Sequence, residues 1–226
     1  MQLFVVATPI GNLDDITFRA VKILRDVDFL IAEDTRRAAI LLQKFKIDKK
    51  IISFHCRSSD RKIVEICEKI RAAKNGAALI SDAGTPGISD PGFKILKYAA
   101  QKKILISPLP GASALTALIS VAAAPTDKFI FFGFLPQKKG RQKIFAQIVD
   151  SKISAIFFES VHRFPKFLNE AEKIFGADRK IVVGRELTKM HEEIFRGEIA
   201  VAKKFFFAEK IRGEFVILVA PKNFNF

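Results

Sequence analysis

Tryptophan is absent from this chain and tyrosine occurs once, although 23 of its 226 residues are phenylalanine. Cysteine occurs only at Cys56 and Cys67, too far apart for a Cys-x-x-Cys redox or zinc motif and too few for a disulfide framework. The three histidines, His55, His162 and His191, are scattered, so no metal-ligand spacing exists and no metal is expected. Neither a GxxxxGK loop nor GxGxxG is present, which removes the anchors of P-loop and Rossmann readings. Ser113 lies in PGASA rather than in a G-x-S-x-G elbow, so hydrolase chemistry has no support. No apolar run reaches the length of a membrane span. The opening MQLFVVATPIGN has no basic stretch and no A-x-A site, so a cytoplasmic protein with no membrane partner is expected.

What is present is a hydrophobic content of 49%, enough for a real core, and a net charge of +14. Residues 1–124 hold 19 basic and 12 acidic side chains, and residues 125–226 hold the same numbers. The excess is therefore spread over the surface rather than carried by a tail. It suits a polyanion, RNA first among them. Compositional drift toward Lys, Ile and Phe is the other reading.

Along the chain, apolar runs alternate with helical spacing. Strands are expected at Leu3–Ala7, Phe29–Ala32, Ile51–His55, Ala77–Ser81 and Ile104–Ser107. Helices are expected at Leu13–Arg25, Ala38–Phe45, Lys62–Lys74 and Phe93–Gln101, then after the Pro108–Ala114 loop to about Ala123. Five such alternations predict a doubly wound, mostly parallel sheet in a first domain, 1–124. Ala124-Pro125-Thr126-Asp127 marks the boundary to a second, mixed α/β domain, 125–226. There, strands are expected at Phe129–Phe134, Ala155–Phe158, Lys180–Val183, Ile194–Ala200 and Glu214–Val219. Helices fall at Phe167–Phe175 and near Ala202–Lys210, and a basic loop spans Leu135–Lys143.

The densest stretch is AALISDAGTPGISDPG, Ala77 to Gly92: a strand, then Asp82, Asp90 and a run of glycine and proline turn formers. It reads either as a ligand loop at the carboxyl end of a sheet or as a tight structural turn. Other polar clusters also follow strands. They are Thr8-Pro9-Ile10-Gly11-Asn12, Glu33-Asp34-Thr35-Arg36, His55, Pro110-Gly111-Ala112-Ser113, Glu159-Ser160 and Arg185-Glu186. Loops of this kind suit a nucleoside-like ligand bound mainly by main chain.

VATPIGNLDDITFRA, AEDTRR, LISDAGTPGISDPG, PLPGASA, FFGFLP, FFESVHR and RELTKMHEE resemble, in order and spacing, the ribosomal small subunit methyltransferase I family. These are 16S rRNA (cytidine-1402-2′-O)-methyltransferases within the tetrapyrrole-methylase-like group. The resemblance runs from about Leu3 to Val219. It implies a two-domain fold with S-adenosylmethionine in the interdomain cleft, a homodimer, and the small ribosomal subunit as partner. Cofactor-binding positions implied are Pro9, Gly11, Asp82, Ala83, Gly84, Thr85, Pro86, Gly87, Ile88, Pro110, Gly111, Ser113, Ala114, Phe158, Glu159 and Glu186. The chemistry is a displacement at the sulfonium methyl by a ribose 2′-oxygen, which needs a positioned base or a cation that stabilises the alkoxide. Candidates are Glu33, Asp34, Arg36, His55, Glu159, His162, Arg185, Glu186 and Lys189. Arg185-Glu186 and Lys189 would put a cation and a carboxylate one helical turn apart if a helix started there.

The sequence departs from the family where Arg57 and Ser58 replace a His-Asn pair after His55. It also ends at Phe226 without the helical extension many members carry. RNA contact is then expected from Lys138, Lys139, Arg141, Lys143 and Arg163. A small-molecule methyltransferase and a catalytically weak ribosome-assembly factor are the alternatives.

Overall fold

Short, wholly apolar runs such as FLIA and AALI can only be strands buried on both faces, and helices on both sides supply the cover. The computed structural model describes residues 1–90, 92–137, 139–207 and 212–226. Strands β1 (Gln2–Val6), β2 (Phe29–Ala32), β3 (Lys50–Ser53), β4 (Ala77–Ile80) and β5 (Leu105–Leu109) form one parallel sheet, ordered β3-β2-β4-β1-β5. Helices α1 (Phe18–Asp26) and α2 (Thr35–Lys44) cover one face through Leu24, Leu41 and Leu42 against Val6, Leu30 and Ile80. Helices α3 (Asp60–Ala72) and α4 (Phe93–Gln101) cover the other through Ile66, Ile70, Ile95 and Ala99 against Leu3, Ile31 and Leu79.

β1 and β4 are neighbours, yet the chain leaves β1 toward one face and β4 toward the other. That is the switch point at which open α/β sheets hold ligands. The expected doubly wound sheet is therefore present.

Local chemistry sets the details. The single helix expected over Leu13–Arg25 is instead a 3-10 turn, Leu13–Asp15, followed by α1. Asn12 and Thr17 each accept a backbone N–H, so two caps five residues apart break the helix between them. β5 continues through Pro108, which costs no ladder bond on the outer side because β5 is an edge strand.

Contacts divide the chain into two compact units, Met1–Ser113 and Ala114–Phe226. The division lies earlier than the boundary expected after Ala124. α5 (Ala114–Val121) packs on β10 (Glu214–Val219), and Arg196 Nε donates to the Ala122 carbonyl at 3.3 Å, which ties the helix to the second unit.

The second sheet is ordered β6-β7-β10-β8-β9, with β6 (Phe129–Phe134) parallel to β7 (Ser154–Ser160) and the other pairs antiparallel. β8 is Lys180–Arg185, β9 Glu193–Glu198, α6 Arg141–Ile148, α7 Phe164–Phe175 and α8 Ile199–Phe207. Phenylalanine fills this core: Phe145, Phe157, Phe164, Phe167, Phe206 and Phe215 are all buried and in ring contact. Two expectations are corrected here. α6 begins inside the supposed basic loop, at Arg141, and α8 begins at Ile199, before the expected Ala202. Lys138 lies outside the described residues.

Candidate active site

The carboxyl edge of the first sheet is drawn together by main-chain bonds. Thr8 and Gly84, just after β1 and β4, exchange two backbone hydrogen bonds of 2.9 Å. The Thr8 hydroxyl donates to the Ser81 carbonyl at 3.2 Å, and the Thr85 hydroxyl donates to the Ala112 carbonyl at 3.1 Å. The loops after β1, β4 and β5 are thus one knitted surface.

Two glycines permit it. Gly84 has φ +79°, and a Cβ there would lie 3.3 Å from Ile10 Cγ2. A Cβ on Gly111 would lie 3.0 Å from that of Ala7, so the β5 loop comes as close to β1 as backbone allows.

The loop after β2 joins this edge through Asp82. The Asp34 N–H donates to Asp82 Oδ1 at 3.0 Å, and Arg37 Nε stands 3.9 Å from Asp82 Oδ2. Asp34 itself is fully employed. Its Oδ1 accepts from the Arg36 N–H, and both its oxygens accept from the Arg36 guanidinium, at 3.0 and 2.7 Å. Those bonds hold the Asp34 carboxyl far below the ordinary carboxylate range.

Glu33 behaves oppositely. Burial, then the charges of Asp82 and Asp90, push its carboxyl up, while His55 draws it down. Asp90 is likewise raised by burial and by Asp82, against a hydrogen bond from Ser81. In a chain of net charge +14, this edge concentrates four carboxylates, those of Glu33, Asp34, Asp82 and Asp90.

The remaining expected residues sort unevenly. Pro9, Pro86 and Ser113 are buried in the knitted edge, whereas Gly11, Ala83, Gly87, Ile88, Pro110 and Gly111 are exposed on it. His55 is exposed, and its Nδ1 accepts the Arg57 N–H at 3.2 Å. Thr8, Asp90 and Ala112 lie in the turn-rich clusters read from the sequence and belong to the site. Ser81, read there only as the end of a strand, joins them by accepting from the Thr8 hydroxyl.

In the second unit, Glu159 is completely buried. Arg141 Nη1 donates to it at 3.1 Å, Arg163 Nε stands 2.8 Å away, and the Ser160 N–H donates at 3.0 Å. Arg141, 4% exposed, also pairs with Glu170. The expectation that the Arg141 side chain offers an RNA-facing charge is therefore corrected. It anchors α6 to β7 and α7, and Arg163 reinforces the anchor by donating to the Leu135 carbonyl at 3.0 Å. Lys139 and Lys143 remain exposed.

Phe158 packs between Phe131 and Phe134. Ala114 opens α5. No helix starts at Arg185. Glu186 and Thr188 have φ of +49° and +64°, and a tight turn brings Lys189 Nζ to Glu186 Oε1 at 2.8 Å. Glu186 also accepts the Glu214 N–H at 2.9 Å. Burial raises its carboxyl, but the Lys189 and Glu214 hydrogen bonds outweigh that and lower it. Arg185 pairs with Glu193, and His162 is exposed. Among the described residues, no group of three or more His, Cys, Asp or Glu could hold a metal ion.

Comparison with known proteins places this architecture. Residues 2–202 match the family described as Tetrapyrrole (Corrin/Porphyrin) Methylases. The "Ribosomal RNA small subunit methyltransferase I" of Thermotoga maritima is 42% identical over 98% of this chain and 99% of its own length. The protein of that name from Synechocystis is 41% identical over 96% of this chain and 78% of its own length. Among solved structures, a diphthine synthase superposes with a TM-score of 0.79 at 14% identity, covering 100% of this chain and 92% of its own. A cobalamin biosynthetic enzyme, cobalt precorrin-4 methyltransferase, gives 0.73 at 17%, covering 97% and 94%. These likenesses carry the fold, and the sequence identities carry the rest. The chain belongs to the tetrapyrrole methylase family, and within it to the ribosomal RNA small subunit methyltransferase I proteins.

Proposed function

We propose that this methyltransferase transfers the methyl group of S-adenosylmethionine to the ribose 2′-oxygen of cytidine 1402 in 16S rRNA, acting in the cytoplasm as a homodimer. The observation that carries the reading is identity of 42% to the Thermotoga protein across nearly the whole of both chains.

The first unit's carboxyl edge fits the cofactor on chemical grounds. Glu33, Asp82 and Asp90 crowd negative charge that Arg37 only partly offsets, and burial leaves Glu33 and Asp90 reluctant to ionise. A ligand carrying a sulfonium and an ammonium would relieve that charge. Gly111, exposed and without a Cβ, lets an adenosine approach the backbone of the β5 loop closely. Asp82, Gly84, Thr85 and the 110–113 loop would hold it. When bound, S-adenosylmethionine supplies a methyl already activated by its positive sulfur.

What the protein must add is deprotonation of a ribose hydroxyl. Asp34 is committed to Arg36 and to the start of α2, and Glu186 to Lys189 and Glu214. Glu33 has a carboxyl raised by burial and by Asp82, which makes it a stronger base than an ordinary carboxylate for taking the 2′-hydroxyl proton.

The test is transfer of labelled methyl from S-adenosylmethionine to small ribosomal subunits lacking the modification, with the labelled nucleotide mapped. Label on the ribose of cytidine 1402, lost in Asp82→Ala together with cofactor affinity, is the expected result. Cofactor binding without labelled RNA would point to a small acceptor. Neither binding nor label would refute the enzyme reading.

A further inference from the structure

Two helices bracket the switch point in the first unit, and both begin in the same way. α1 follows the β1 loop and α4 follows the Asp82 loop, on opposite faces of the sheet, so both N-termini lie at its carboxyl edge. The first residue of each is phenylalanine. Phe18 is 97% exposed and Phe93 is 67% exposed. A lone exposed apolar side chain needs no explanation. Here the feature is repeated at the same helical position on both sides of the crevice.

Charge follows the rings. Lys22 is four residues after Phe18 and Lys97 four after Phe93, which places each cation on its ring's side of the helix. Lys94 is exposed beside Phe93. Among the described residues none of these three lysines has an ion-pair partner, and α4 contains no acidic residue. Arg19 reaches across the edge and donates to the Pro108 carbonyl at the end of β5 at 3.3 Å. An exposed ring with free cations on the same face is the chemistry that takes unpaired nucleotides, the base stacking on the ring and the phosphates meeting the lysines.

We propose that Phe18 and Phe93, with Arg19, Lys22, Lys94 and Lys97, form a two-sided lip that grips single-stranded RNA on either side of the nucleotide being modified. The inference rests on the RNA substrate proposed above. The lip is a positioning device and takes no part in the chemistry.

The experiment compares Phe18→Leu, Phe93→Leu, Phe18→Tyr, Phe93→Tyr and Lys94→Glu/Lys97→Glu with the parent. Each is measured for binding of a short fluorescein-labelled single-stranded RNA of the decoding-region sequence, for S-adenosylmethionine affinity, for kcat and KM on ribosomal subunits, and for sedimentation. The leucine variants should weaken RNA binding about ten-fold and raise KM with little change in kcat, while the tyrosine variants, which keep a stacking face, stay near the parent. The double charge reversal should flatten the salt dependence of log K by about 0.7 for each phosphate that the protein no longer neutralises. Cofactor affinity should be unchanged throughout. Leucine variants that bind RNA like the parent overturn the proposal, as does loss of self-association with unchanged RNA affinity, which would make a second copy the occupant. A parent protein that neither binds nor methylates RNA refutes the underlying function, a result distinct from a working parent with indifferent variants.

Discussion

The family resemblance places Glu159 at the cofactor, yet its carboxylate is sealed inside the second unit, which makes Glu159→Gln a sharp test. Three donors converge on it: the Arg141 guanidinium at 3.1 Å, Arg163 at 2.8 Å and the Ser160 N–H at 3.0 Å. Glutamine keeps the shape but removes the charge and turns one acceptor into a donor facing a guanidinium. Arg141, with 5% of its side chain exposed, is then left with Glu170 alone, and its Nη2 already has no partner among the described residues. Breaking a buried pair on one side costs about 3–5 kcal/mol. With a urea dependence of about 2 kcal/mol per molar, the unfolding midpoint should fall by about 2 M. Arg141→Met should cost a similar amount. The double variant Arg141→Met/Glu159→Gln should cost less than the sum of the two single variants by about 1–3 kcal/mol, since the Arg141–Glu159 pair is then removed from both sides. Urea unfolding followed by circular dichroism reads all three. A Glu159→Gln loss below about 1 kcal/mol, with a large drop in S-adenosylmethionine affinity, would refute the structural role and restore the cofactor role.

Gly84→Ala should lower S-adenosylmethionine affinity, measured calorimetrically, and stability by about 1–2 kcal/mol, because an L residue at φ +79° is strained and its Cβ presses on Ile10 at the Thr8 bridge. The Glu33 carboxyl is raised in the folded state, so its contribution to stability is complete below the ordinary value of 4.5 and is lost as pH rises through the folded value. Glu33→Gln should therefore gain stability relative to the parent across that rise, with the two curves meeting at low pH in pH-dependent unfolding. The same substitution should cut methyl transfer by about 10²–10⁴-fold and abolish an acidic limb of kcat/KM that lies above 4.5 in the parent.

Much of this protein was decided by its linear order. The apolar runs of β1 to β5 and the turn formers after them dictate a parallel α/β sheet, because a strand with no polar face must be covered on both sides. Position alone also put Asp82, Gly84 and Gly111 at a strand end, and motif order put the chain in its family. Sequence could not say which charges are spent. Arg141 and Lys143 read alike in QKKGRQK, and only packing shows that α6 turns the first inward to Glu159 and leaves the second in water. Likewise AEDTRR presents two adjacent carboxylates. It took the capping of α2 and the Asp34–Arg36 bonds to occupy one, and the neighbourhood of Asp82 and Asp90 to raise the other. Periodicity and turn residues act within a few positions of themselves, so they are legible in order. Burial and ion pairing depend on residues far apart in sequence, such as Asp34 with Asp82 and Arg141 with Glu170, and only the folded chain brings those together.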